Sequence, residues 1–312
     1  MKHVRRLLAL WACIGALGMV GAAQAATQDL VLTNDAKCTT CHDEGDSPKV
    51  LQIGRTKHGT LADKRVGTCT SCHGQSDRHI ADAEKGVKKP AQPDVDFGKH
   101  STTPMEKRSE ACLTCHQGGE RMHWDSGPHS GAQVACSSCH EIHTQHDAVL
   151  DKKTQFEVCF TCHKTQRAEL RRPSRHPIEE GKVACSDCHN PHGTAGPHLL
   201  VRDSVNDTCY TCHMEKRGPF VRTHEPVQED CTICHNPHGT TNPNLLKIRP
   251  PFLCQTCHQG TSHHATVPNG SPVTGAPSTA QIVIMARGCL NCHTNIHGSN
   301  NPGDGSGRGF RR

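Results

Sequence analysis

The sequence predicts a chain of loops and short α-helices with little or no β-structure, arranged as an elongated row of tandem repeats. Three observations predict it. Leu, Ile, Val and Phe number 51 of the 312 residues, a share below the roughly 20% that ordinary globular chains carry. Such a chain cannot by itself bury enough apolar surface to offset its backbone entropy. Against that stand 21 Cys and 26 His, far more than a disordered segment would hold. These residues also recur in one short pattern, and alternate copies of it begin at residues 112, 159, 209 and 254. Something other than side chains is therefore expected to build the core.

The first residues set the compartment. Lys2, Arg5 and Arg6 precede an apolar run over 7–23, and Ala23-Gln24-Ala25 is a small-residue cleavage signal. Residues 1–25 read as a secretory signal peptide, so the mature chain is exported and begins near Ala26. Lipid attachment at Cys13 is disfavoured by the bulky Trp11 and the short apolar stretch before it. No later apolar run approaches the roughly 20 residues a membrane helix needs.

Loss of the leader removes Cys13 and leaves 20 cysteines, all in C-x-x-C pairs followed directly by His. The first five motifs are Cys38-Cys41-His42, Cys69-Cys72-His73, Cys112-Cys115-His116, Cys136-Cys139-His140 and Cys159-Cys162-His163. The other five are Cys185-Cys188-His189, Cys209-Cys212-His213, Cys231-Cys234-His235, Cys254-Cys257-His258 and Cys289-Cys292-His293. C-x-x-C-H is the attachment signature of c-type haem. Cysteines three apart share one face of a helical turn and can add to both vinyl groups of one porphyrin. The next residue then brings its imidazole under the iron as proximal ligand. The competing reading is structural zinc, for which C-x-x-C supplies half a site. Ten copies with His at the same position and no cysteine left over favour ten covalently attached haems. Disulfide-exchange motifs come singly on an α/β scaffold and fit no better.

Fifteen histidines of the mature chain remain. Most flank the even-numbered motifs, one upstream and one just downstream: His58 and His79, His129 and His143, His176 and His192, His224 and His238. At motif ten the upstream member is His263 or its neighbour His264, and the downstream member is His297. Two spare histidines per two-motif unit supply a distal ligand for every iron, so bis-histidine ligation is expected throughout. The four mature methionines hold no repeating position, and iron without axial Met has a low potential. His100, His123, His146 and His198 are left as solvated or propionate-contacting residues, with His100 a weaker rival to His79.

The expected organisation is a signal peptide 1–25, a haem-binding domain 26–297 and a flexible basic tail 298–312. Two-haem units fall at about 26–100, 101–150, 151–200, 201–245 and 246–297. The first is lengthened by residues 80–110, which read as a linker or surface excursion because of Lys88-Lys89-Pro90-Ala91-Gln92-Pro93; residues 265–281 form a second loosened stretch. Short helices are expected at each motif, with longer ones over 105–117 and 163–172. The mature chain has roughly 29 residues per motif, too few to enclose each macrocycle in a core of its own. Units that contact mainly their neighbours give an elongated array.

The net charge of +5 includes Lys2, Arg5 and Arg6. Without them, and with ten ferric haems each carrying two propionates, the formal charge falls to about −8. The basic isoelectric point is thus no argument for nucleic-acid binding, and no phosphate loop or aromatic stacking pattern supports it. Three functions compete: an electron conduit, a soluble shuttle or store of electrons, and a reductase. A reductase needs an iron with an open position, whereas here no motif exchanges its His for Lys and the spare histidines cover all ten irons. No enzyme activity is expected.

Ten C-x-x-C-H motifs on under 300 mature residues, a cleavable leader and the Cys-His-Asn-Pro-His-Gly units at 188–193 and 234–239 resemble the Mtr-type periplasmic decahaem cytochromes. These include the DmsE-like members and the iron-oxidation relatives. The resemblance implies a periplasmic chain of a Gram-negative bacterium, inserted in an outer-membrane β-barrel porin. It implies electron conduction between periplasmic and cell-surface cytochromes and extracellular acceptors or donors, in metal oxide reduction or Fe(II) oxidation. On that resemblance the ten motif histidines and the ten flanking ones are the axial ligands.

Overall fold

The computed structural model describes residues 35–43, 45–59, 65–258, 289–291, 293–301, and 310. The leader, Cys292, His263, His264, the stretch 265–281 and most of the tail lie outside the described residues. Among those described there is no strand; pairing is limited to isolated antiparallel bridges such as Ser174 with Thr240 and Arg222 with Ser299. Helices are short, and the longest are Met105–Leu113 and Asp77–Glu84. The run expected over 105–117 ends at Leu113, and that over 163–172 holds the helix Lys164–Glu169.

The motifs alternate between two local structures. Odd-numbered motifs lie at the ends of α-helices: Ala36–Thr39, Met105–Leu113, Gln155–Cys159, Val205–Tyr210 and Phe252–Gln255. Motif two is itself helical over Cys69–His73. The later even motifs begin on 3₁₀ turns, Cys136–Ser138, Cys185–Asp187, Cys231–Ile233 and Cys289–Asn291. Their cause lies in the residue before the first cysteine, which is extended at Ala135 (φ −80°, ψ 159°), Ala184 (φ −108°, ψ 158°) and Asp230 (φ −159°, ψ 121°). With no helical lead-in, one tight turn is all that forms. Both versions bring the backbone N–H of the motif His onto the carbonyl of the first cysteine, as at His116 (2.9 Å), His140 (3.0 Å) and His235 (3.1 Å).

Two compact units divide the chain, residues 1–71 with 143–145 and residues 72–142 with 146–312. In the first, fully buried Asp35 serves two motifs at once. Its backbone carbonyl accepts from the N–H groups of Cys38 (2.8 Å) and Thr39 (3.1 Å). Its carboxylate accepts from those of Cys69 (2.7 Å) and Thr70 (3.3 Å). These are orphan donors of two helix starts, and the carboxylate satisfies the second set as a capping residue would.

The second unit repeats this clamp with other side chains. The Asn206 carboxamide accepts from the Cys231 N–H at 2.8 Å and donates to the carbonyls of Val227 and Gln228, both at 2.9 Å. Gln155 accepts from the Ser186 N–H (2.9 Å) and donates to the Val149 carbonyl (2.9 Å). Each ties an odd motif to the even motif after it. Asn206→Leu keeps the volume but strands three part-buried backbone groups, at about 1 kcal/mol each once partial access to water is allowed for. The expected outcome is a melting temperature lower by at least about 5 °C, read by thermal circular dichroism of the haem-loaded protein.

The apolar core is slight. Its buried cluster is Phe160, Leu170 and Ile178, with Phe156, Val183 and Cys185 packed against it. Successive repeats are joined instead by a close approach at the glycine after the downstream histidines His192, His238 and His297. Gly193, Gly239 and Gly298 have φ of 111°, 148° and 147°. A Cβ at Gly193 would lie 2.4 Å from the His123 carbonyl oxygen, and one at Gly239 2.2 Å from that of Glu169. One at Gly298 would lie 2.1 Å from the Phe220 ring. Each His-Gly pair thus docks on the preceding repeat, and only glycine allows both the conformation and the approach.

The stretch 80–110 is more than a linker. After the helix Asp77–Glu84 the chain turns back, with the Asp82 carboxylate accepting from the Ala91 N–H at 3.0 Å. The Asp94 carboxylate accepts from the Ser76 N–H at 2.8 Å. This return places two carbonyls against histidines of motif two.

Candidate haem sites

The described motif cysteines are half-buried or exposed. The first cysteines of an odd motif and its following even motif are neighbours. The Cys112 thiol donates to Cys136, which draws the Cys136 pKa down to about 6 and raises that of Cys112. Cys159 pairs with Cys185 in the same sense, and Cys209 with Cys231. In the first unit burial, aided by the Asp35 charge, pushes Cys69 up to about 12. Second cysteines face the next pair: Cys139 senses Cys162, Cys188 senses Cys209 and Cys212, and Cys234 senses Cys257. Within the second unit the attachment points therefore follow one another in sequence order.

The histidines form pairs. The rings of His129 and His163 have centroids 6.1 Å apart, those of His140 and His192 6.1 Å, and those of His176 and His213 6.4 Å. His189 and His238 are 6.1 Å apart, His224 and His258 6.0 Å, and His235 and His297 6.1 Å. Each pair joins one motif His to one spare His. Two imidazoles on opposite sides of a metal need about 2 Å per bond and about 1 Å from nitrogen to ring centre, which sums to the observed spacing.

The partners follow a rule. The upstream His of an even motif meets the motif after it, so His129, His176 and His224 face motifs five, seven and nine. The downstream His reaches back two motifs, so His192, His238 and His297 face motifs four, six and eight.

Nδ1 contacts orient the rings. Among motif histidines, Nδ1–H is donated by His73 to the Val95 carbonyl (2.9 Å), His189 to that of His198 (2.9 Å) and His235 to that of Asn244 (2.8 Å). His140 donates to the Asp147 carboxylate at 2.7 Å, and His42 lies 3.1 Å from the Ser47 hydroxyl. Among spare histidines, His79 donates to Ala91 (2.7 Å), His129 to Pro191 (2.8 Å), His143 to Val50 (2.6 Å) and His176 to Pro237 (2.6 Å). A Nδ1–H so held leaves Nε2 as the free metal-binding lone pair. Burial, with further lowering from neighbouring charges, also depresses the pKa of His192, His224, His238 and His297, favouring the neutral ring that metals bind. His58 is half-buried, with its N–H bonded to the Thr56 hydroxyl at 3.1 Å.

The remaining spare histidines, His100, His123, His146 and His198, are exposed. His198 contributes only its carbonyl to His189, and the equivalent position in the next repeat is Asn244, with φ 53° and 58° respectively. His198→Asn is therefore expected to leave haem content and the absorption spectrum unchanged; loss of one low-spin haem would contradict this.

Two half-buried arginines add further donors. The Nε atoms of Arg108 and Arg121 are buried without a hydrogen-bond partner. A guanidinium suits a carboxylate better than any neutral acceptor, and haem propionates would satisfy these donors. The donor set and the orphaned arginines both fit haem.

Comparison with known proteins agrees. The model of a doubled CXXCH motif matches residues 176–218 and 224–263, and that of a cytochrome c-type protein NrfB-like family matches 69–156. The chain is 29% identical over 169 residues to the cytochrome c-type protein NrfB of Escherichia coli, spanning 51% of this chain and 82% of that one. It is 43% identical over 269 residues to the multiheme cytochrome MtrA of Shewanella baltica, spanning 85% of this chain and 78% of that one. With half-buried histidines paired across its repeats and this degree of identity, the chain belongs to the MtrA-type multihaem cytochromes, electron-transfer proteins with covalently bound c-type haem.

Proposed function

We propose that the chain carries ten c-type haems, each closed by two histidines, and conducts electrons across the outer membrane within a β-barrel porin. The observation that carries this reading is the set of six imidazole pairs spaced 6.0–6.4 Å, each uniting a C-x-x-C-H His with a spare one. When bound, the haems supply one-electron couples in series. The chain's residues do the rest. The cysteines would hold each group covalently, and each ring pair would ligate its iron through two histidines and keep water and small substrates off it. Iron so held would exchange electrons without bond chemistry, at the low potential expected where no Met is a ligand. The proposed pairs are His140/His192, His163/His129, His189/His238, His213/His176, His235/His297 and His258/His224. By count, His58, His79, His143 and either His263 or His264 remain for the four other irons.

Among the described residues no helix is long and apolar enough to cross a membrane, so a membrane role requires a partner that spans it. The leader implies a periplasmic site of action, and a porin is the partner we propose. The test is reconstitution of the porin–cytochrome complex in liposomes enclosing a reduced dye. External ferric acceptor should oxidise the dye only when the cytochrome is present. Equal rates without it would refute conduction. Similarity to the NrfB proteins over about half of the chain favours a second reading, a periplasmic electron carrier. That reading predicts rapid reduction in solution and no transmembrane oxidation of the dye.

A further inference from the structure

The Nδ1 partners of the motif histidines differ in charge. His189 and His235, in motifs six and eight, donate to backbone carbonyls. His140, at the same place in motif four, donates to a carboxylate oxygen of Asp147 at 2.7 Å. Asp147 is well fixed. Its side chain is 12% exposed, and its other oxygen accepts from the N–H groups of Glu141 and Val149, both at 3.4 Å, where it caps the turn Ala148–Leu150. Two other carboxylates stand farther from the candidate ligands beside them. Glu215 is 3.8 Å from His213 on an exposed surface, and Glu169 is 3.6 Å from His238 with its other oxygen bonded to Asn236. On the opposite ring of the pair, His192, Arg121 and Glu120 act in opposing directions, so Asp147 is the unbalanced charge.

We propose that Asp147 is a positioning residue that gives the haem attached at Cys136 and Cys139 a lower reduction potential than those of motifs six and eight. The inference rests on His140 being an iron ligand. A carboxylate accepting Nδ1–H makes the imidazole a stronger donor. The ferric state, which carries one more positive charge, is stabilised over the ferrous one. Gaining one electron at that iron is therefore harder, and the relay has a low-potential step in its first half. Hydrogen bonding of this kind is one of the protein's established levers on haem potential.

The test is an optical and EPR-monitored redox titration of the complete haem-loaded protein. In the unaltered chain the haem at Cys136 and Cys139 should be reduced at a lower potential than those of motifs six and eight, each identified by removing its cysteines. Asp147→Asn should shift that haem's reduction equilibrium at least tenfold toward the ferrous form, 59 mV for a one-electron couple, with low-spin signals intact. Asp147→Glu should retain the low value. A motif-four potential equal to or above those of motifs six and eight in the unaltered protein would overturn the proposal, even if Asp147→Asn failed to load haem. So would an Asn variant with unchanged potentials. A high-spin signal at motif four in the unaltered protein would instead defeat the ligand assignment beneath it.

Discussion

Replacing His192 by alanine is expected to open an iron in the preceding repeat while leaving the motif beside it closed. His192 lies three residues after His189, yet its ring lies 6.1 Å from that of His140 and 9° from parallel. The expected readout is one high-spin haem in ten, able to bind carbon monoxide when reduced. Its identity can be fixed in the same background. Removing Cys136 and Cys139 should abolish the high-spin signal, whereas removing Cys185 and Cys188 should leave it. The reverse pattern would show that the His serves its own motif. Because the ligand is lost outright, the spin change should be complete at one site and negligible at the others.

Gly239→Val should have the largest effect on assembly. The new Cβ would meet the Glu169 carbonyl oxygen at 2.2 Å and the carbonyl carbon at 3.0 Å, in a backbone with φ 148° that branched residues avoid. Backbone cannot swing aside as a side-chain end can. The adjoining bonds between Thr240 and Ser174, 2.8 and 3.2 Å, would be lost with the contact. A cost above about 4 kcal/mol follows from combined strain and overpacking. The His238 ring would leave His189, so the purified variant should show reduced haem loading or a high-spin site. Full loading with ten low-spin haems would mean that the close approach matters little.

These two residues show where the sequence is and is not transparent. The cysteines and the motif His are consecutive, and one turn of backbone brings them together, so their grouping is visible without a fold. The spare histidines are visible by number, two per repeat, and each of the six described imidazole pairs unites one of them with a motif His. Their partners are not visible. The reach of His192 to His140, or of His238 to His189, depends on a loop docking one repeat back, and local spacing holds no trace of it. The glycine after the downstream His is the sequence's mark of that docking, present at 193, 239 and 298.

Local structure was legible to a similar depth. Short helices and an absence of strands follow from the motif and the lack of apolar periodicity. The 3₁₀ form of motifs four, six and eight does not, because it is set by the extended residue entering each of those three. The Lys- and Pro-containing stretch after motif two reads as a linker, but the carbonyls of Ala91 and Val95 hold His79 and His73. A backbone acceptor carries no side-chain signature. The clamps were hidden for a related reason. Asp35, Gln155 and Asn206 do similar work with different side chains and lengths, so no single residue type recurs to betray them.

The measurement that bears most directly on the account is near-infrared magnetic circular dichroism of the oxidised protein, scaled to its haem-to-protein ratio. Ten haems per chain, all low-spin with two histidine ligands, is the predicted result. Fewer than ten haems, or a high-spin or His/Met fraction amounting to one haem, would contradict it and return a substrate-open iron to consideration.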